Sequence, residues 1–233
     1  MTTAHYLERR GELETYFDRT AVAAWTRLTS DAPVGRIRAT VRAGRDEMRQ
    51  TLLSWLPEDM RGARLLDAGC GTGALSIDAA RRGADVVAVD ISPSLVQIAS
   101  GRLPGDISPH AIRFVAGDML DPTLGKFDFV VAMDSVIHYR PDDVVRIFAG
   151  LATRTLHALL VTFAPRTPAL TLMHTVGRAF PRENRAPAIE PVTEQHLRKL
   201  ITAHPDLDEW SFGRGRRVAS GFYKSHALEL LRR

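Results

Sequence analysis

The sequence predicts an α/β fold: a doubly wound, mostly parallel sheet of seven strands, with a helical lid ahead of it and a cap inserted after strand five. Three observations carry this. A short apolar run, Ala63-Arg64-Leu65-Leu66, passes straight into a glycine loop, Asp67-Ala68-Gly69-Cys70-Gly71-Thr72-Gly73, and a helical pattern follows. Strand-like runs then alternate with helical patterns up to residue 163, the rhythm of a parallel sheet. The tail departs from that rhythm and reads as two strands in succession.

From Glu12 to Leu28, Leu13, Phe17, Val22, Trp25 and Leu28 recur at loosely helical spacing. Ser30-Asp31-Ala32-Pro33 breaks the pattern. A second helix is expected from about Gly35 to Leu56, with Ile37, Val41, Met48, Leu52 and Trp55 on its apolar stripe and Pro57 ending it. Both precede the first strand, so residues 1–56 read as a lid and 57–233 as the main domain. The core is expected as strand 63–67, helix 73–82, strand 85–90, helix 93–101, strands 111–115 and 127–133, helix 141–152 and strand 156–163. Prolines at 165, 168, 181, 187 and 191 surround a short amphipathic piece, which marks 165–191 as the cap. A helix over 193–201 and strands over 206–212 and 219–230 complete the chain.

At 233 residues there is room for one α/β domain and a lid. The apolar runs, such as Ala158-Leu159-Leu160-Val161, are far shorter than the roughly twenty residues that span a bilayer. The first ten residues hold no apolar signal core, and one cysteine, Cys70, suits a reducing compartment. A cytoplasmic protein is expected, with peripheral membrane contact left open. Of 31 basic residues only Lys126, Lys199 and Lys224 are lysines. Such a surface could meet an acidic substrate or anionic lipid. No nucleic-acid module accompanies it, so nucleic acid is not expected as a partner.

In the loop, glycines let backbone approach a ligand while the following helix offers unpaired N–H groups. The spacing is G-x-G-x-G, not the dinucleotide G-x-G-x-x-G, and Asp67 stands two residues before the first glycine. Asp90 follows Gly69 by 21 residues and ends the second strand, where a carboxylate accepts from ribose hydroxyls. This loop resembles motif I of the S-adenosylmethionine-dependent methyltransferases. The resemblance implies the Rossmann-like class I methyltransferase fold and S-adenosylmethionine as methyl donor. It also implies an antiparallel strand pair at the end of the sheet, and Asp118 facing the adenine amino group.

Further segments lie outside the loop, the N-terminal helices and the Gly-Arg-x-Phe-Pro cap being the specific ones and the cofactor site the generic one. They are Tyr16-Phe17-Asp18-Arg19-Thr20 with Trp25, the run Ile37–Arg45, Val89-Asp90-Ile91-Ser92, Asp134–Tyr139, Gly177-Arg178-Ala179-Phe180-Pro181 and Gly221-Phe222-Tyr223. Together they resemble the magnesium protoporphyrin IX O-methyltransferase family over nearly the whole chain. The charged Arg182-Glu183-Asn184-Arg185 is a local departure, standing where a smaller glycine-containing turn is expected. The resemblance implies methyl transfer to one propionate of a magnesium porphyrin, giving the monomethyl ester in (bacterio)chlorophyll synthesis. Delivery of the substrate by a magnesium chelatase would fit that role. The alternatives are another small-molecule O-methyltransferase, acting on a quinone precursor or acyl carboxylate, and a cofactor-binding partner without catalysis.

Each candidate residue has two readings. Asp67 either caps the loop or serves the amino-acid end of the cofactor. Gly69, Gly71 and Gly73 are turn glycines or admit the cofactor. Ile91 packs in the core or against adenine. Met119 offers its N–H to the same ring, and Asp118 either caps a turn or holds adenine. Met133, at the end of strand four, belongs with the cofactor set. Cys70 lacks a base partner and is not a nucleophile. Tyr16 packs the lid helix or contacts the reacting carboxylate. His138 is a structural hydrogen-bonder or an active-site group, with the substrate magnesium as a further possible target. Arg178, Arg182 and Arg185 are solvated or hold a second propionate. No resident metal is expected.

Overall fold

The computed structural model describes residues 3–30, 33–166 and 188–233. Seven strands form one sheet: β1 (Arg64–Ala68), β2 (Asp85–Asp90), β3 (Ile112–Ala116), β4 (Phe127–Ala132), β5 (Thr155–Phe163), β6 (Trp210–Ser220) and β7 (Tyr223–Arg232). Their order is β3-β2-β1-β4-β5-β7-β6. The first five run parallel, and β7 lies antiparallel to both β5 and β6. The order reverses between β1 and β4, the switch point where open α/β sheets bind ligands.

Period-two alternation feeds two cores. Leu66, Val87, Val130 and Leu159 point into one apolar cluster, and Leu65, Val86, Val131 and Leu160 into the other. Helices α4 (Ala74–Arg81), α5 (Pro93–Gly101), α6 (Pro141–Ala152) and α7 (Glu194–Thr202) complete the layers. Ser92 caps α5 by accepting from Leu95 N at 3.2 Å, and Pro93 opens that helix.

The N-terminal segment starts earlier than its apolar spacing suggests. Helix α1 spans Ala4–Thr15, because the Thr3 hydroxyl accepts from Tyr6 N at 3.1 Å and fixes the start there. A π-helical turn, Tyr16–Thr20, separates it from α2 (Val22–Leu28). Helix α3 (Arg36–Ser54) falls where the stripe places it. Its Met48, Leu52 and Leu53 are wholly buried in the second core. Each such side chain contributes about 1.5–3 kcal/mol by burial. On the other face, Tyr6 and Leu13 of α1 enter the first core.

The tail strands also differ from expectation. The turn between them is Gly221-Phe222, and the stretch 213–217, rich in glycine and arginine, lies inside β6. Gly213 sits in a strand because a Cβ there would lie 2.4 Å from Glu229 Oε2. The same Glu229 carboxylate accepts from Arg214 N at 2.9 Å and from its Nε at 2.8 Å. The pairing register shifts between Phe212 and Gly215, as a bulge requires. Most of the expected cap, 167–187, lies outside the described residues, and with it Arg178, Arg182 and Arg185. Among the described residues no helix is long and apolar enough to cross a membrane.

Candidate active site

The glycine loop is built against the end of β2. Gly69 N and Cys70 N both donate to Val89 O, at 2.8 and 3.0 Å. Gly71 N donates to Asp90 Oδ2 at 2.8 Å, and Ser92 N to Oδ1 at 2.9 Å. Gly69 has φ 89°, and a Cβ there would fall 2.2 Å from Ser135 Cβ. Only glycine tolerates both the left-handed backbone and that approach. Burial holds the Asp90 carboxyl above its ordinary range. Asp67 is pushed up to about 7 by burial, against the opposing hydrogen bond from Ser76 Oγ at 2.6 Å and with the charge of Asp90 adding to the rise. Burial likewise pushes the Cys70 thiol well up, which leaves it inert.

A cavity of about 660 Å³ opens above this loop. Asp67, Gly69, Gly71, Asp90, Ile91, Met119 and Met133 line it on the loop side, and Tyr16 and His138 line it as well. Gly73 stands behind the lining, with φ 82° and Ala99 Cβ 3.1 Å from where its own Cβ would be. Asp118 also stands behind the lining. Its Oδ1 accepts from Tyr6 Oη at 2.7 Å and Leu120 N at 2.9 Å, and its Oδ2 from Arg10 Nη1 at 2.6 Å. It therefore ties α1 to the sheet. The Tyr6 ring adds a stack on Tyr139 at 5.3 Å.

The outer wall is aromatic. Phe17 packs edge-on against Tyr16 at 5.2 Å and Trp25 at 5.8 Å, and lies 5.8 Å from the His138 ring. The π turn that carries Tyr16 and Phe17 is pinned by Asp18, whose Oδ1 accepts from Ser94 N at 2.9 Å and Ser92 Oγ at 3.1 Å. Such turns concentrate at functional sites. His138 is buried, with Nδ1 3.2 Å from Ala188 O, and its own carbonyl accepts from Arg9 Nε at 2.9 Å. Burial raises the Tyr16 phenol.

Asp134 was not singled out by sequence reasoning. It directly follows the β4 end, with φ 55°, in the left-handed region that non-glycine residues seldom adopt. Its carboxylate accepts from Arg45 Nη1 at 2.7 Å, Tyr223 Oη at 3.0 Å and Ser225 Oγ at 3.1 Å. Its N–H donates to Thr162 Oγ1 at 2.7 Å. Arg45 in turn lies over the Trp25 ring at 4.6 Å. One carboxylate thus joins α2, α3, β5 and β7. The available signal was its place beyond a parallel strand's carboxyl end, the edge where such sheets bind ligands.

The residues fit a sulfonium nucleoside donor. The glycines admit a backbone-hugging ligand, and the acids Asp67 and Asp90 face the cavity. Ser135 Oγ is buried without a hydrogen-bond partner among the described residues. A fold and loop of this kind define a methyltransferase, and residues 65–157 match the general methyltransferase domain family. Residues 132–232 match the family described as magnesium-protoporphyrin IX methyltransferase C-terminus. The chain is 50% identical over 225 residues to magnesium-protoporphyrin O-methyltransferase of Rhodobacter capsulatus, covering 96% of this chain and 97% of that one. A crystal structure of magnesium protoporphyrin IX methyltransferase from Synechocystis with bound SAH superposes with TM-score 0.84 at 28% identity, over 96% of this chain and all of that one. A ubiquinone biosynthesis O-methyltransferase of Xanthomonas oryzae is 36% identical, but only over 126 residues, 52% of each chain. The chain belongs to the magnesium-protoporphyrin O-methyltransferase family.

Proposed function

We propose that this protein transfers the methyl group of S-adenosylmethionine to one propionate carboxylate of magnesium protoporphyrin IX, giving the monomethyl ester. The observation that carries this is the reach of the 50% identity, over 225 residues and so across the acceptor wall as well as the glycine loop. The likeness to the quinone enzyme stops at about half the chain.

When bound, the donor supplies an electrophilic methyl on a sulfonium. A propionate is already ionised at neutral pH, with a reference pKa of about 4.3. No strong base is needed. The protein's task is to exclude water and hold the carboxylate oxygen in line, roughly 3 Å from the methyl carbon. Asp90 takes the ribose hydroxyls and Ile91 packs on the adenine. Asp118 keeps one of its roughly four acceptor sites for the adenine amino group after three internal bonds, and Met119 offers its N–H to the same ring. Asp67, Gly69, Gly71, Gly73 and Met133 serve the methionine end. Tyr16 and His138 flank the transferred methyl. Helices α1 and α2 act as the lid, and α3, bound into the core, is its fixed hinge side. Contact with a magnesium chelatase, a cytoplasmic setting and peripheral association with a photosynthetic membrane belong to the same reading. An apolar porphyrin must be handed over without dispersing in water.

The test uses labelled S-adenosylmethionine with magnesium protoporphyrin IX, metal-free porphyrin, catechols and quinols. The expected product is heavier by one methyl and is hydrolysed by base as an ester. Methylation confined to catechols or quinols would return the quinone reading.

A further inference from the structure

Four arginines recur along the pocket side of α3: Arg38, Arg42, Arg45 and Arg49. Three are engaged. Arg42 donates to the carbonyls of Leu28 and Arg27, each at 2.9 Å. Arg45 pairs with Asp134 at 2.7 Å, and Arg49 with Asp46 and Asp78 at 2.8 and 3.0 Å. Arg38, at the outer end, has no hydrogen bond or ion pair among the described residues.

The β6–β7 turn brings a second cation to the same rim. Gly221, φ 54°, sits so close to α3 that a Cβ would lie 2.2 Å from Thr40 Oγ1. One helical turn on, a Cβ on Gly44 would lie 2.5 Å from Tyr223 Cδ1. These two approaches lock the turn onto the first half of α3. They set Phe222, 50% exposed, and Lys224 on the lining of the cavity that Arg38 also lines. Lys224 likewise has no acidic partner among the described residues.

We propose that Arg38 and Lys224 form a carboxylate subsite for the second propionate of the porphyrin, the one that is not methylated, with Phe222 covering the macrocycle edge. This rests on the proposed function. The reacting carboxylate must sit deeper, between Tyr16 and His138. Arg38 is seven residues from Arg45, roughly 10 Å along the helix at about 1.5 Å per residue. Arg45 is held by Asp134, which leaves Arg38 as the cation of this row for an acid arm of the ligand. Two cations without competing acids give a carboxylate charge-assisted hydrogen bonds. The subsite would make the enzyme choose a diacid, so its product, a monoacid, is released and not methylated again.

The experiment compares magnesium protoporphyrin IX with a magnesium porphyrin bearing a single propionate. Both are assayed with the wild type, with Arg38→Ala and Lys224→Ala, and with the double variant. The wild type is expected to show a KM about tenfold or more lower for the diacid. The double variant should raise the diacid KM to the monoacid value, with kcat changed less than threefold. The monoacid KM and S-adenosylmethionine affinity should stay within twofold of wild type, and thermal unfolding confirms a folded variant. A surviving diacid preference, an equal KM rise for both porphyrins, or weakened donor binding overturns the subsite. A wild type inactive on both porphyrins overturns the parent reading, and the subsite falls with it.

Discussion

The two sides of the cavity are made differently. Most of the donor side comes from one short stretch, Asp67 to Ser92, which works through main-chain N–H groups, glycine conformations and carboxylates at strand ends. The acceptor side is assembled from residues as far apart as Tyr16, Arg45, Asp134, His138 and Tyr223, and works through side chains. A backbone-built surface holds an invariant cofactor. A side-chain surface can be refitted to a new acceptor without disturbing the loop.

The donor side is stiffest at Gly69. Gly69→Ala adds a Cβ 2.2 Å from Ser135 Cβ at a φ of 89°. It should cost about 2–4 kcal/mol of stability, combining left-handed strain with overpacking, and remove donor binding. Chemical denaturation and calorimetry measure both. Wild-type stability would mean the loop is not rigid.

Next in size is Asp90→Ala. Donor affinity should fall by about 1.5–3 kcal/mol, the worth of a charge-assisted bond. Calorimetry on folded variant decides, and unchanged affinity would remove Asp90 from the donor side. On the acceptor side, Tyr16→Phe and His138→Ala should bind donor nearly normally while losing up to roughly 10²-fold in kcat, a positioning loss. A collapse of donor binding in either would erase the division between the two sides.

The smallest effect is a pH dependence at Asp67. Its carboxyl is raised from 3.8 to about 7 in the unliganded fold. A raised carboxyl stabilises the fold below its unfolded pKa, and that contribution is lost as pH climbs through about 7. The donor's ammonium favours the ionised form. Donor affinity should therefore rise about tenfold from pH 6 to pH 8, with proton release, and Asp67→Asn should flatten the profile. A flat wild-type profile would place the ammonium elsewhere.

The same division explains what could be read in advance. β1, the glycine loop and Asp90 are local, and β1 and β2 are short apolar runs buried on both faces of the sheet. The seven-stranded sheet with a final antiparallel pair followed from the resemblance, and the strand order came from the structure. Other features resist reading because their causes are distant. Gly213 and Gly215 look like turn residues, yet Gly213 is in a strand to make room for Glu229. Asp134 binds partners 89 residues away on one side and 91 on the other. The π turn at Tyr16–Thr20 depends on Asp18 reaching Ser94.

The packing of α3 on β6 and β7 also sets an order of events at the ribosome. Helix α3 emerges early, carrying Met48, Leu52 and Leu53. Val218, Tyr223 and Ala227 of β6 and β7 belong to the core that covers it. At about 5–20 residues per second, the helix waits roughly 10–35 s for β7 to leave the exit tunnel. During that interval its apolar stripe is a chaperone target, and a nonsense mutation that removes only the β6–β7 hairpin strands a helix made long before it.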